Sequence, residues 1–243
     1  MPSLLQDQLR VFGKTDQGLM RSDNEDSLFI DSKRSVFAVA DGLGGLPEGS
    51  MASELAVKTL GDHLRQSDPK TPLDFNSLFF SINERVFQKG HQISSEMGIG
   101  TTLTIAQIED NLLRVGHVGD SGLIVFNSRS WRQVTHDHTM AQEMLDRLLP
   151  GEHAFIPEYF SHTLTRCIGQ MARVESDYYE FELTLGDRIL LFTDGVTKTM
   201  NLDEIHDEIL KENDPETFVT RIIDTGNDRG GPDNITAIAI YCD

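Results

Sequence analysis

The sequence predicts an α+β layered fold, with mainly antiparallel β-sheets packed together and helices on the outside. Short β-rich segments cluster around tight turns and do not alternate one-for-one with helices. Segments with three- and four-residue apolar spacing, the mark of amphipathic helices, fill the longer intervals. No repeat, low-complexity tract or linker rich in Pro, Gly or Ser divides the 243 residues, so a single domain over 1–243 is expected.

Taken in order, DSLFI (26–30) and VFAVA (36–40) flank the polar turn DSKRS and read as a hairpin. MASELAVKTLGDHLRQ (51–66) sets Leu55, Thr59, Leu60 and Leu64 on one helical face. Residues 73–97 repeat that pattern with Leu78, Ile82, Val86 and Ile93. TTLTIAQIE (101–109) alternates apolar and polar residues with the period of a strand. LLRVGHV (112–118), GLIVF (122–126) and WRQVT (131–135) follow as strands at close spacing. TMAQEMLDRLL (139–149) reads as an amphipathic helix and RILLFT (188–193) as a strand. DEIHDEILKE (203–212) and PETFVTRIID (215–224) are helices, the second opening on Pro215 in its first turn. NITAIAIYC (234–242) closes the chain as a strand.

Composition excludes several function classes. With 21 basic against 39 acidic residues the net charge is −18, so the average surface repels nucleic acid and anionic lipid. No window approaches the apolar length of a membrane span. The start, MPSLLQDQLRVFGKTDQG, has neither the basic n-region nor the apolar h-region of a signal peptide. Cys167 and Cys242 are far apart and form no C-x-x-C, which suits a reducing compartment. A cytoplasmic protein is expected, with neither nucleic acid nor membrane as partner.

The stretch FAVADGLGGLPEGS (37–50) has the outline of a phosphate-binding loop. A dinucleotide fingerprint starting at Gly42 and Gly44 would need glycine at 47, where Pro47 stands, and no Gly-Lys-Ser/Thr follows. Asp41, however, belongs to a series. VAD (39–41), VGD (118–120) and FTD (192–194) each end an apolar run on an aspartate followed by Gly or Ser, and Asp233 in GGPDNIT precedes the last strand. Any one of Asp41, Asp120, Asp194 and Asp233 could form an Asx-turn or cap a helix. Gathered on one sheet rim, all four would repel strongly unless a cation neutralised them. Oxygen donors without thiolates or convergent imidazoles select magnesium or manganese. Gly42 would let its backbone carbonyl approach such an ion without a side chain in the way. In TDQGLMRSDNEDSLFI (15–30), Arg21 precedes Asn24, Glu25 and Asp26, and arginine is the side chain that grips phosphate with two prongs.

With these residues in place, the sequence resembles the metal-dependent protein phosphatase family, also called protein phosphatase 2C. RSDNED (21–26), VADGLGG (39–45), GTT (100–102), GHVGDS (116–121), VTHDHT (134–139), LTRCIG (164–169), RILLFTDGV (188–196) and GGPDNIT (230–236) occur in family order. The resemblance implies a four-layer α-β-β-α sandwich of two antiparallel sheets flanked by helices, with two Mn2+ or Mg2+ ions at one end. It implies that Asp41 bridges the ions and Gly42 gives its carbonyl to one. Asp194 and Asp233 complete the other, Glu25 acts through bound water and Arg21 holds the substrate phosphate. Asp120, with Asp194, matches the place where bacterial members can take a third ion. Asp26 and Asn234 would have supporting roles. Hydrolysis of phosphoserine and phosphothreonine by a metal-activated water is the implied activity, with phosphorylated proteins as substrates. The implied partners are a cognate Ser/Thr kinase and, as in some stand-alone bacterial members, a forkhead-associated-domain protein of a type VI secretion system. Residues 139–162 correspond to the variable flap of bacterial relatives.

One departure concerns Leu43, which stands where many members carry His after the Asp-Gly, and this leaves the general acid unassigned. His138 and His162 lie near motif positions. Two other readings compete. His136-Asp137 is the doublet of HD-type phosphohydrolases, but it follows a strand, where Asp137 makes an N-cap. A degenerate phosphatase fold kept as a regulator or scaffold would have lost a metal aspartate or the arginine, and all are present.

Overall fold

The computed structural model describes residues 8–44, 46, 48–69, 71–149, 151–171 and 173–243. Gly45 and Pro47 of the glycine-rich stretch lie outside the described residues. Ten strands and six α-helices follow in order: β1 (Leu9–Asp16), β2 (Asp26–Asp31), β3 (Val36–Asp41), α1 (Gly49–Gln66), α2 (Phe75–Ile93), β4 (Leu103–Glu109), β5 (Leu112–Val118), β6 (Gly122–Phe126), β7 (Trp131–Gln133), α3 (Met140–Asp146), β8 (Asp177–Glu182), β9 (Arg188–Phe192), α4 (Asp194–Thr197), α5 (Leu202–Lys211), α6 (Pro215–Asp228) and β10 (Ile235–Cys242). A 3-10 turn, Glu158–His162, precedes β8.

The strands form two five-stranded sheets, ordered β1-β10-β9-β6-β7 and β2-β3-β4-β5-β8, and every described pairing is antiparallel. Period-2 alternation sorts the side chains into three apolar layers. In β3, Val36, Ala38 and Ala40 face α1 and α2, while Phe37 and Val39 enter the space between the sheets. In β10, Ala237, Ala239 and Tyr241 face α5 and α6, while Ile238, Ile240 and Cys242 meet the opposite sheet. The layers therefore run helices, sheet, sheet, helices, the sandwich that the motifs imply. Among the described residues, no helix is long and apolar enough to cross a membrane.

Two of the four edge strands, β1 and β8, are not marked by the sequence pattern. Each pairs along one side only. Strand β1 is half-buried on both faces, with Leu9 and Val11 between the sheets and Phe12 towards the helices, while β8 buries a single row. In β8, Tyr179 and Phe181 turn inward while Glu180 and Glu182 stay exposed, so a weak alternation is diluted by charge. Boundaries also shift. The second helix ends at Ile93, not 97, because Ser94 caps it in extended conformation, and Ile93 is exposed rather than in the core. The third stops at Asp146 and its N-cap is Thr139, whose hydroxyl accepts from the Gln142 amide, so the cap assigned to Asp137 is corrected. The last helix runs on to Asp228. Ala52 and Ala56, not the half-buried Leu55, bring α1 onto the sheet.

Candidate active site

One rim of the sandwich collects the chemistry. Strands β3, β5 and β9 end there, leading into Asp41, Asp120 and Asp194, and β2 and β10 begin there, just after Glu25 and Asp233. A cavity of about 1070 Å³ opens at this rim, and Arg21, Glu25, Asp41, Gly42, Asp120, Asp194 and Asp233 all line it. Residues from both ends of the chain thus share one pocket because antiparallel pairing brings their strand ends together.

Backbone hydrogen bonds fix each carboxylate. The Asp41 amide donates to Thr102 Oγ1 at 2.9 Å, and its carbonyl accepts from Thr101 Oγ1 and from the Thr102 amide, both at 2.8 Å. This gives the GTT motif a positioning task that spacing did not show. A Cβ at Gly42 would overlap the Gly49 carbonyl, so the turn after Asp41 can pass under α1 only as glycine. At Gly195 a Cβ would overlap the Asn234 carbonyl, and this contact sets Asp194 beside Asp233. Asn234 locks the loop by accepting from the Glu25 amide at 2.8 Å and donating to the carbonyls of Gln17 at 2.8 Å and Asp23 at 2.9 Å. The Glu25 carboxylate accepts from the Gly49 amide at the start of α1, where the helix dipole favours an anion. Buried Asp26 sits opposite Asp41 in the β2–β3 register and links the two sheets, its Oδ2 accepting from Thr193 at 2.8 Å and Thr236 at 2.7 Å.

The electrostatics are those of crowded anions. Burial pushes the Asp41 carboxyl well above its ordinary range, and Asp26, Asp194, Asp120 and Asp233 add to the rise. Burial and Asp194 raise Asp120 to about 7. Asp26 also rises to about 7, burial outweighing its two threonine hydrogen bonds. Asp233 goes the other way: burial would raise it, but Lys198 and Arg21 hold it below the usual value. Arg21 donates to Asp233 through Nε at 2.8 Å and Nη2 at 2.9 Å. Lys198 Nζ lies 2.5 Å from Asp194 Oδ2 and 2.5 Å from Asp233 Oδ2.

The donor set suits a hard divalent cation. It is all oxygen, it is too negative to stand unneutralised, and the buried Asp26 Oδ1 and Asp194 Oδ1 have no hydrogen-bond partner. Among the described residues, no three acidic, histidine or cysteine side chains are grouped so as to hold a metal ion. The carboxylates instead take Lys198 and Arg21 as counter-charges. Lys198 is the site residue missed by motif reading, and its signal was a base four residues after Asp194, the spacing at which helical side chains meet.

The remaining candidates separate. Leu43 and His162 line the cavity. His138 does not line it. It is buried against His117, accepts from the Gly119 amide at 3.1 Å and lies 3.4 Å from Asp177, so it braces the backbone beside Asp120. His136 pairs with Asp146 at 2.7 Å on the surface. Half-buried Asp137 accepts from Gln133 at 3.2 Å and is raised to about 6 by burial and by Asp194, so it adds to the negative charge around Asp120.

Comparison with known proteins agrees with this arrangement. A family model described as protein phosphatase 2C matches residues 14–237. Protein phosphatase PhpP of Streptococcus pneumoniae is 31% identical over 234 residues, covering 93% of this chain and 94% of that protein. The crystal structure of the catalytic domain of the serine/threonine protein phosphatase PstP, in complex with 2 manganese ions, superposes with a TM-score of 0.83 at 29% identity, covering 96% of this chain and 97% of that one. PppA, described as a key regulatory component of the type VI secretion system in Pseudomonas aeruginosa, superposes with a TM-score of 0.83 at 27% identity, covering 97% and 98%.

Proposed function

From the premise that the chain belongs to the protein phosphatase 2C family, we propose that it is a metal-dependent Ser/Thr phosphoprotein phosphatase whose active site is the rim cavity. The observation that carries the proposal is that Arg21, Glu25, Asp41, Gly42, Asp120, Asp194 and Asp233, drawn from separate segments, line that one cavity.

Bound Mn2+ or Mg2+ would supply Lewis-acid charge and lower the pKa of a water for attack on phosphorus. Asp41 and the Gly42 carbonyl would hold one ion, and Asp41, Asp194 and Asp233 the other. Glu25 would act through water, and Asp120 with Asp194 would hold a third ion where one binds. Arg21 does the phosphate-binding work. Its Nε and Nη2 already donate in parallel to both oxygens of a carboxylate, and the same fork fits two phosphate oxygens. Its charge then balances what develops on the transferring phosphoryl group. Leu43 cannot donate a proton to the leaving oxygen.

Residues 139–162 would act as a flap beside the cavity, pinned at its base by the bridge between Thr139 and Leu164. The substrates are phosphorylated proteins. A cognate Ser/Thr kinase, a cytoplasmic location and one phosphatase domain over 1–243 complete the proposal. The likeness to PppA supports a type VI secretion system as the setting, with a forkhead-associated-domain protein as the proposed partner there.

Purified protein should hydrolyse an aryl phosphate when Mn2+ is added and stop when a chelator is in excess. Asp194→Ala should lower kcat/KM by at least about a hundredfold, on the scale of losing one electrostatic group in an active site. Equal activity in that variant would remove Asp194 from the site, and a metal-independent rate would point to a non-catalytic scaffold.

A further inference from the structure

Lys198 directly follows the single turn of α4 and reaches back to the acid that opens that turn. Its Nζ is 2.5 Å from one oxygen of Asp194 and 2.5 Å from one oxygen of Asp233. The three side chains are 24%, 18% and 11% exposed, so their attraction is only partly screened by water. Asp233 is saturated on its other side, where Oδ1 accepts from Arg21 Nε at 2.8 Å and from the Asn234 amide at 2.9 Å. Within the phosphatase reading, Asp194 and Asp233 are ligands of the same divalent cation. An ammonium has no lone pair to share with a metal and repels it, so Lys198 and that cation cannot both occupy the space between the two carboxylates. The Asp41 and Gly42 ligands of the other ion have no such occupant, since no described ion pair engages Asp41.

We propose that Lys198 is a tethered competitor for one of the two divalent ions. Its ammonium neutralises Asp194 and Asp233 when that ion is absent and must be displaced for the ion to bind. The inference rests on the phosphatase reading and goes beyond it by assigning unequal affinities to the two ions. If the ammonium sits between the carboxylates in about nine molecules of ten, the apparent dissociation constant of the displaced ion is raised about tenfold.

The test is calorimetric titration of Mn2+ into the chelator-treated full chain, comparing wild type, Lys198→Met, Lys198→Arg and Asp41→Asn. Wild type should bind two ions with unequal affinity. Lys198→Met should tighten the weaker step by about tenfold or more and leave the stronger step within about twofold. Its metal-free form should melt below wild type, because Asp194 then loses its counter-charge and Asp233 keeps only Arg21, and Mn2+ should restore the melting temperature. Lys198→Arg keeps the charge and should keep the unequal steps. Unchanged or weaker binding in Lys198→Met would overturn the inference and leave Lys198 as a structural tie. Equal tightening in Lys198→Arg would overturn it too, by showing that shape and not charge sets the affinity. Absence of Mn2+ binding by wild type, or wild-type binding by Asp41→Asn, would instead bring down the phosphatase reading itself.

Discussion

At the scale of single residues, the site is a set of charges whose balance is set by neighbours. Arg21 grips Asp233 with two nitrogens, and a lysine could supply one charge but not the fork. Arg21→Lys should therefore raise KM for a phosphopeptide about tenfold or more, the loss of one charge-assisted hydrogen bond, in steady-state kinetics at saturating Mn2+. An unchanged KM would take the phosphate away from Arg21. His117 gives a second residue-scale outcome. It is wholly buried, takes a hydrogen bond from Thr104 at 2.9 Å and titrates at about 3 instead of 6.5, first because burial disfavours its charged form and then because His138 lies beside it. Between those values the unfolded chain holds a proton that the native state excludes, so stability falls as pH drops through 6.5 towards 3. The slope is about 1.4 kcal/mol per pH unit. Moving from about pH 7 to about pH 5 should cost wild type about 2 kcal/mol more than His117→Gln in urea unfolding. Parallel losses in the two proteins would show that His117 is not buried neutral.

At the scale of elements, the strand ends and short turns do the positioning. The α4 turn packs its Gly195 directly on the loop that carries Asp233 and Asn234. Gly195→Ala forces these apart, so it should cost about 1–3 kcal/mol by overpacking in urea unfolding and weaken Mn2+ binding in the same protein. Stability at the wild-type level would mean the two loops are not in contact. Threonines at strand ends have the same kind of task. Thr101 and Thr102 clamp the backbone of Asp41, and Thr193 and Thr236 hold Asp26, so the GTT and FTD segments act as brackets around the acids.

For the whole molecule, two sheets that each carry part of an anionic rim are pressed together by their shared apolar layer, which stores repulsion at the cavity. Divalent ions that relieve it should stabilise the fold. At about one hundred times its dissociation constant, Mn2+ should add about 2.7 kcal/mol. For a domain of this size that corresponds to roughly 5–11 °C in melting temperature. Differential scanning fluorimetry with and without Mn2+ checks this, and Asp41→Asn, which changes the carboxylate assigned to both ions, should abolish most of the shift. A shift that survives in the variant would place the ion elsewhere.

The sequence by itself determined the layered class, the position of most strands and the identity of the acids at the rim. Apolar alternation and strand-terminal Asp-Gly steps are local patterns, written in neighbouring residues. Edge strands β1 and β8 escaped it, because Gly13, Lys14 and Thr15 break up the apolar residues of β1 and β8 needs only one apolar row. The position of His138 also escaped, since only the packing of β5 against the segment before α3 turns it inward. Tertiary structure alone decided which groups meet: antiparallel pairing set Asp26 against Asp41, and the α4 turn swung Lys198 between Asp194 and Asp233. Charge balance at a site depends on distances through space, and those are fixed by which strands pair, not by the residues that adjoin along the chain.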